Sequence, residues 1–116
     1  MKIIINDHRK IFGIQEEFCK MFPNLRIEFY SKPPHAHGNT DKPVIHPAHK
    51  TIGSCRIIHN KGMLTLTPHM TIAEIEQALG DVFGLSTMIY HKSGITWNEL
   101  DRTDKSPLEE LNKNVG

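Results

Sequence analysis

Four of the chain's eight histidines fall in one stretch, "KPPHAHGNTDKPVIHPAHK" (Lys32 to Lys50), as His35-x-His37 and His46-x-x-His49. Neutral imidazole is a ligand for zinc, nickel or copper, and Asp41 offers an oxygen beside them. The spacing matches no structural zinc pattern, and neither cysteine joins the group. Pro33, Pro34, Pro43 and Pro47 favour extended backbone at their own and preceding positions. In an extended run His35 and His37 point to opposite sides. The expectation is an exposed, mobile connection over residues 32–50 with no preorganised metal site. Any metal there would be held weakly and lost below about pH 6, as imidazoles protonate.

The other chemistry on offer is a thiol. Cys55 precedes Arg56 and stands four residues before His59, and nearby cations lower a thiol's pKa. On a strand, Cys55, Ile57 and His59 would share a face, but the sulfur and the imidazole would then lie about 13 Å apart. Only a helical turn would bring Cys55 and His59 together as a nucleophile and base. The plainer reading makes Cys55 a small buried apolar residue. Cys19, next to the apolar Phe18, has no better case. No glycine loop of the GxGxxG or GxxxxGK kind is present, nor a GxSxG elbow or an HExxH helix. Glu16-Glu17 and Glu109-Glu110 fall on helix faces turned to water. No cofactor is expected, and an enzyme is less expected than a binding domain.

Those side chains must be positioned by a few short elements. "KIIIND" reads as a buried strand, too short for the roughly 7–15 apolar residues of a secretory core. From Asp7 or His8 to Phe22, apolar Ile11, Ile14, Phe18 and Met21/Phe22 recur at helical spacing, and Pro23-Asn24 stops the helix. Gly13 within it suggests a close helix–sheet contact. "LRIEFY" alternates as a half-buried strand. "SCRIIHNKGMLTLTP" reads as a hairpin of Ser54–His59 and Met63–Thr67 turned at Asn60-Lys61-Gly62, with a short helix over 52–60 as the rival. Thr71 and Glu74 form a capping box, Met70 and Ile75 a hydrophobic staple, and Gly84 ends the helix as a left-handed residue. "LSTMIYH" and "ITWNE" are two further strands joined at Lys92-Ser93-Gly94, and Ser106-Pro107 opens a short C-terminal helix. The expected core is Ile3, Ile5, Ile11, Ile14, Phe18, Phe22, Ile27, Phe29, Leu64, Leu66, Ile75, Leu79, Val82 and Ile89.

The two halves resemble each other. Ile14, Phe18, Phe22 and Tyr30 are matched by Ile75, Leu79, Phe83 and Tyr90 at a nearly constant offset, each half being strand, helix, strand. Two such βαβ units in tandem describe a single α+β domain built as a ferredoxin-like sandwich, with an extra hairpin and a short C-terminal helix. Helices on one sheet face leave the other open, where Arg26, Tyr30, Tyr90 and Trp97 could lie with Thr65, Lys92 or Arg56. Trp, Tyr and Arg are what protein interfaces favour. Aromatics on such a sheet also stack unpaired bases, although the basic-Gly-aromatic-Gly/Ala-Phe run that carries this is missing from every strand. A protein partner or a second copy is therefore expected ahead of single-stranded nucleic acid.

Composition narrows the classes further. Fourteen basic against thirteen acidic side chains leave a formal charge of +1, too little for a global field that holds nucleic acid or an anionic membrane. Two cysteines without CxxC imply no disulfide framework. No stretch nears the roughly 18 apolar residues of a membrane span. The expectation is a soluble, cytoplasmic protein without membrane contact.

The runs "DHRKIFGIQEEFCKMFPNLRIEFYSKP", "CRIIHNKG", "LTPHMTIAEIEQALGDVFGLS" and "KSGITW" together resemble a family of small uncharacterised bacterial proteins of about this length. The similarity covers nearly the whole chain, least so the histidine-bearing loop. The family has no assigned activity, cofactor or partner, so the resemblance implies a bacterial cytoplasmic domain and carries over no site residues. In it, "TIGSCR" reads as a Thr-Leu-Gly-Glu-Cys-Arg-like run. Ser54 departs from that pattern here, which leaves no acidic neighbour to orient Arg56 and weakens an ionic role for it.

Overall fold

In a computed structural model the chain is described over residues 1–31 and 44–113. It begins with β1 (Lys2–Ile5), whose alternation sends Ile3 and Ile5 into the core and leaves Lys2 and Ile4 outside. Helix α1 (Ile11–Met21) follows, with Ile11, Ile14 and Phe18 buried. It starts later than the apolar period suggests, because residues 7–10 are held elsewhere. The Asn6 side chain accepts from the His8 and Arg9 amides, and the Asp7 and Arg9 carbonyls accept from Gly53 and Ile52. No side chain caps α1. Its first free N–H groups, on Ile11 and Phe12, instead donate to the carbonyls of Lys50 and Ala48. Gly13 faces the Arg9 guanidinium, not a sheet: a Cβ there would come within 3.0 Å of it.

Strand β2 (Leu25–Tyr30) leads to the histidine-rich stretch, of which residues 44–50 are described. These are mostly exposed, as expected, but they are tied to β2 and α1 by backbone hydrogen bonds. Ser31 donates to the Val44 carbonyl and His46 to the Phe29 carbonyl, so the chain runs antiparallel along the edge of β2 before turning up to α1. A 3₁₀ turn, Ile52–Cys55, comes next.

The hairpin expected over 54–67 does not form. Residues 56–61 stay outside any strand, and Ile57 is 94% exposed, so its β-branched shape meets no partner. Strand β3 (Gly62–Thr65) pairs antiparallel with β1 instead, Ile3 opposite Leu64. Cross-strand burial explains the choice: Ile3 and Ile5 of β1 and Leu64 of β3 belong to one core, whereas Ile57 and Ile58 are exposed.

Helix α2 (Ile72–Phe83) has both halves of its capping box, Thr71 Oγ1 accepting from the Glu74 amide and Glu74 Oε1 from the Thr71 amide. It ends at Gly84 with φ 66°. Its buried stripe is Ile72, Ile75, Leu79 and Phe83. Val82 is 51% exposed, contrary to expectation, because with Leu79 and Phe83 facing inward the helix turns position 82 to the side. Strand β4 (Ser86–Ser93) pairs antiparallel with β2, and a tight turn at Gly94-Ile95 returns it as β5 (Thr96–Glu99). The short α3 (Leu108–Lys113) buries Leu108 and Leu111, and Asn112 accepts two hydrogen bonds from Asn24 at the foot of β2, one from its backbone amide and one from its side chain.

The described strands thus make two antiparallel sheets, β1–β3 and β2–β4–β5, in an α+β fold with three helices around one core. β1 pairs with β3 and β2 with β4. No helix among the described residues is long and apolar enough to cross a membrane.

Candidate functional site

Alternation along β2 and β4 sets one row of side chains against the core and the other outward. Ile27, Phe29 and Ile89 go inward; Arg26, Glu28 and Tyr30 on β2 and Met88, Tyr90 and Lys92 on β4 go outward. Trp97 and Glu99 of β5 continue that outer face, opposite Lys92 and Tyr90. Arg26 ties the face together. Its Nε lies 2.6 Å from Glu28 Oε1, and its guanidinium carbon sits 5.9 Å from the centre of the Trp97 ring. The Tyr30 and Tyr90 hydroxyls share a hydrogen bond. Burial, and then the bond to Tyr90, push the Tyr30 phenol well above its usual pKa.

This face is less open than helices on one side alone would leave it. Tyr30, Glu28 and Met88 are buried, while Arg26, Lys92, Trp97 and the rest of β5 are exposed. The accessible part is therefore the β4–β5 end. Of the residues expected there, Arg26, Tyr30, Tyr90, Trp97 and Lys92 do share the face. Thr65 does not, since β3 belongs to the other sheet.

Arg56 is also elsewhere, and it has the acidic partner that its sequence neighbours lack. Its fully buried side chain donates through Nε (3.1 Å) and Nη2 (2.8 Å) to Asp7 Oδ1 and through Nη1 (3.0 Å) to the Phe83 carbonyl at the end of α2. A cation at a helix C-terminus satisfies a free carbonyl and suits the dipole. The other oxygen of Asp7 lies 2.8 Å from His59 Nδ1. The hydrogen bond to His59, then that from Arg56, hold the Asp7 carboxyl below the usual carboxylate range. Asn60 adds a bond to the Val82 carbonyl. Residues 56–60 are so pinned across the C-terminal end of α2. Gly53 makes room for the arrangement, since a Cβ there would stand 2.8 Å from the Asp7 Cβ. Nothing local in the sequence marks this cluster, because Asp7 and Arg56 are 49 residues apart.

Cys55 and His59 spend their side chains on different partners. The thiol, part-buried against the core, donates to the Thr51 carbonyl at 3.3 Å, and His59 faces Asp7. Cys19 is exposed. His35 and His37 lie outside the described residues. His46 is anchored by its backbone, its Nε2 is buried without a hydrogen-bond partner, and burial, then the nearby Lys50 charge, lower its pKa. His49 is exposed. Among the described residues no three His, Cys, Asp or Glu side chains are grouped to hold a metal ion.

Comparison with models of protein families, with curated proteins and with solved structures found no match. The functional reading therefore rests on the geometry above.

Proposed function

We propose that the chain is a non-enzymatic interaction domain that uses the β4–β5 end of its outer sheet face to hold a protein, in the first place a second copy of itself. The observation that carries this is the Arg26–Trp97 pair. An exposed indole is held in place by a guanidinium that is itself fixed by Glu28. Aromatic and Arg side chains preorganised on a rigid strand lose little entropy on docking, and such residues dominate binding energy at interfaces. The thiol-enzyme reading has less support, since Cys55 donates to a carbonyl and His59 is turned to Asp7. A metal-binding role would have to draw on His46 and His49 with groups outside the described residues.

With this reading go three coarser-grounded proposals. The element order strand–helix–strand, twice, and the pairing of β1 with β3 support a ferredoxin-like relation between the halves. The resemblance of the quoted motifs supports a bacterial origin and membership of that uncharacterised family. The near-neutral charge is compatible with a cytoplasmic setting.

The test is a pull-down from the source cell with the tagged chain, its Trp97→Ala variant and RNase-treated and untreated arms. A bound protein that resists RNase and is lost with Trp97→Ala, a change costing about 2 kcal/mol at an interface centre, supports the reading. Binding that vanishes with RNase replaces it with single-stranded nucleic acid. In parallel, thiol titration should find Cys19 fast and Cys55 slow; a fast Cys55 returns the enzyme to first place.

A further inference from the structure

We propose that β5 is a dimerisation edge: two copies pair their β5 strands antiparallel about a two-fold axis at Asn98, joining two three-stranded sheets into one. The inference rests on the interaction-domain reading and names its partner.

The hydrogen-bond pattern says which backbone groups are free. The Leu100 amide donates to the Ile89 carbonyl, so residues 96, 98 and 100 turn their backbone toward β4. By the alternation of an antiparallel ladder, Trp97 and Glu99 turn their N–H and C=O groups away from it. Among the described residues β5 pairs with β4 alone, and all four of its residues are exposed. The opposite edge of the same sheet is closed, since residues 44–46 lie along β2. The other sheet carries charged guards: Arg9 Nη1 donates to the Ile4 carbonyl, and Lys61 leads into β3. β5 has neither a proline nor a lysine, and the turn before it presents Ile95 fully to solvent. Such an edge is a template for another strand.

Side chains select the register. With Asn98 facing its own copy, Trp97 stands opposite Glu99 of the second copy, and Glu99 opposite that copy's Trp97. Both outward-turned residues of each strand then exchange backbone bonds, twice as many as when Trp97 sits on the axis. On the outer face the row becomes Lys92, Trp97, then Glu99 of the second copy, because Lys92 already pairs with Trp97. That carboxylate enters beside the indole on which Arg26 rests, on the side away from Lys92, so it adds an anion to a row whose first copy supplies two cations. The two-fold repeats the match in the other row. A net charge of +1 opposes the approach of a second copy very little. A surface that complements itself in both backbone and charge fits a two-fold dimer.

The test uses the full chain in a Cys19→Ser background. Sedimentation equilibrium should show mass rising toward twice that of one chain as concentration increases. Asn98→Cys should then yield a disulfide-linked dimer under air or oxidised glutathione, since a non-hydrogen-bonded antiparallel pair brings Cα atoms about 4.5 Å apart, within disulfide reach. The exposed Lys20→Cys control should stay unlinked. Glu99→Lys should weaken the dimer severalfold by exchanging the one anion of each row for a cation beside the Trp97 that carries Arg26 and Lys92 of the other copy, with its unfolding midpoint checking that the chain still folds. A dimer that neither links through position 98 nor responds to Glu99→Lys overturns the β5 edge while leaving the sheet-face reading standing. A chain that remains monomeric at every concentration overturns the edge too, and the pull-down then decides the face by itself.

Discussion

Replacing Arg56 with Ala should be among the most damaging loop substitutions in this chain, although the sequence alone places it on a hairpin strand. The side chain is wholly buried, and its three bonds join β1's end, residues 56–60 and the last carbonyl of α2. Its loss leaves the Phe83 carbonyl without its donor. A hydrogen bond from a charged group contributes about 1.5–3 kcal/mol net. The Asp7 side chain is 37% exposed and can rehydrate, so the full 3–5 kcal/mol of a broken buried pair does not apply. Removing the buried methylenes adds a cavity cost. Together these give a loss of roughly 2–4 kcal/mol. The assay is urea unfolding followed by circular dichroism, read as a fall in midpoint at unchanged slope. Arg56→Lys should recover part of the loss, because one ammonium cannot reach both Asp7 and Phe83 with the same fork geometry. A loss below about 1 kcal/mol for Arg56→Ala would refute the idea that this guanidinium braces the end of α2.

Leu79→Ala should cost about 2–5 kcal/mol in the same assay, since Leu79 is fully buried in the core between sheet and helix; under half a kcal/mol would mean the α2 stripe is misassigned. The Asp7 carboxyl sits below its usual range, so its contribution is present above the unfolded value of about 3.9 and lost as pH falls through the lower folded value. Acid unfolding of Asp7→Asn should therefore show a flatter limb below about pH 4. His46 is also depressed, so its contribution is present above about pH 6.5 and fades as pH falls toward the folded value; His46→Gln should remove that earlier slope. Tyr30 is raised, so its contribution holds below about pH 10 and is lost as pH rises through the folded value. Ultraviolet titration should find one of the two tyrosines ionising only as the chain unfolds.

Local chemistry in the sequence determined α2 almost residue by residue. A capping box, an apolar stripe and a left-handed glycine are all made within one helix, so Thr71, Glu74 and Gly84 announce themselves without help from the rest of the chain. The same holds for the alternation of β2 and β4 and for the return into β5, although the turn falls at Gly94-Ile95 and not at Lys92-Ser93-Gly94; that Arg26 meets Tyr90 and Trp97 on one face depends on the long-range pairing of β2 with β4. What only the tertiary structure decided is where backbone groups without a local partner go. The first turn of α1 is capped by carbonyls from Ala48 and Lys50, and residues 44–46 just before them run along the edge of β2. β3 abandons a hairpin with residues 54–59 for β1, because only β1 shares its core face. Arg56 finds Asp7 across 49 residues, a partnership no window of sequence could reveal. In each case a buried polar group or an apolar face must be satisfied at long range, and the folded chain alone brings its partner within reach.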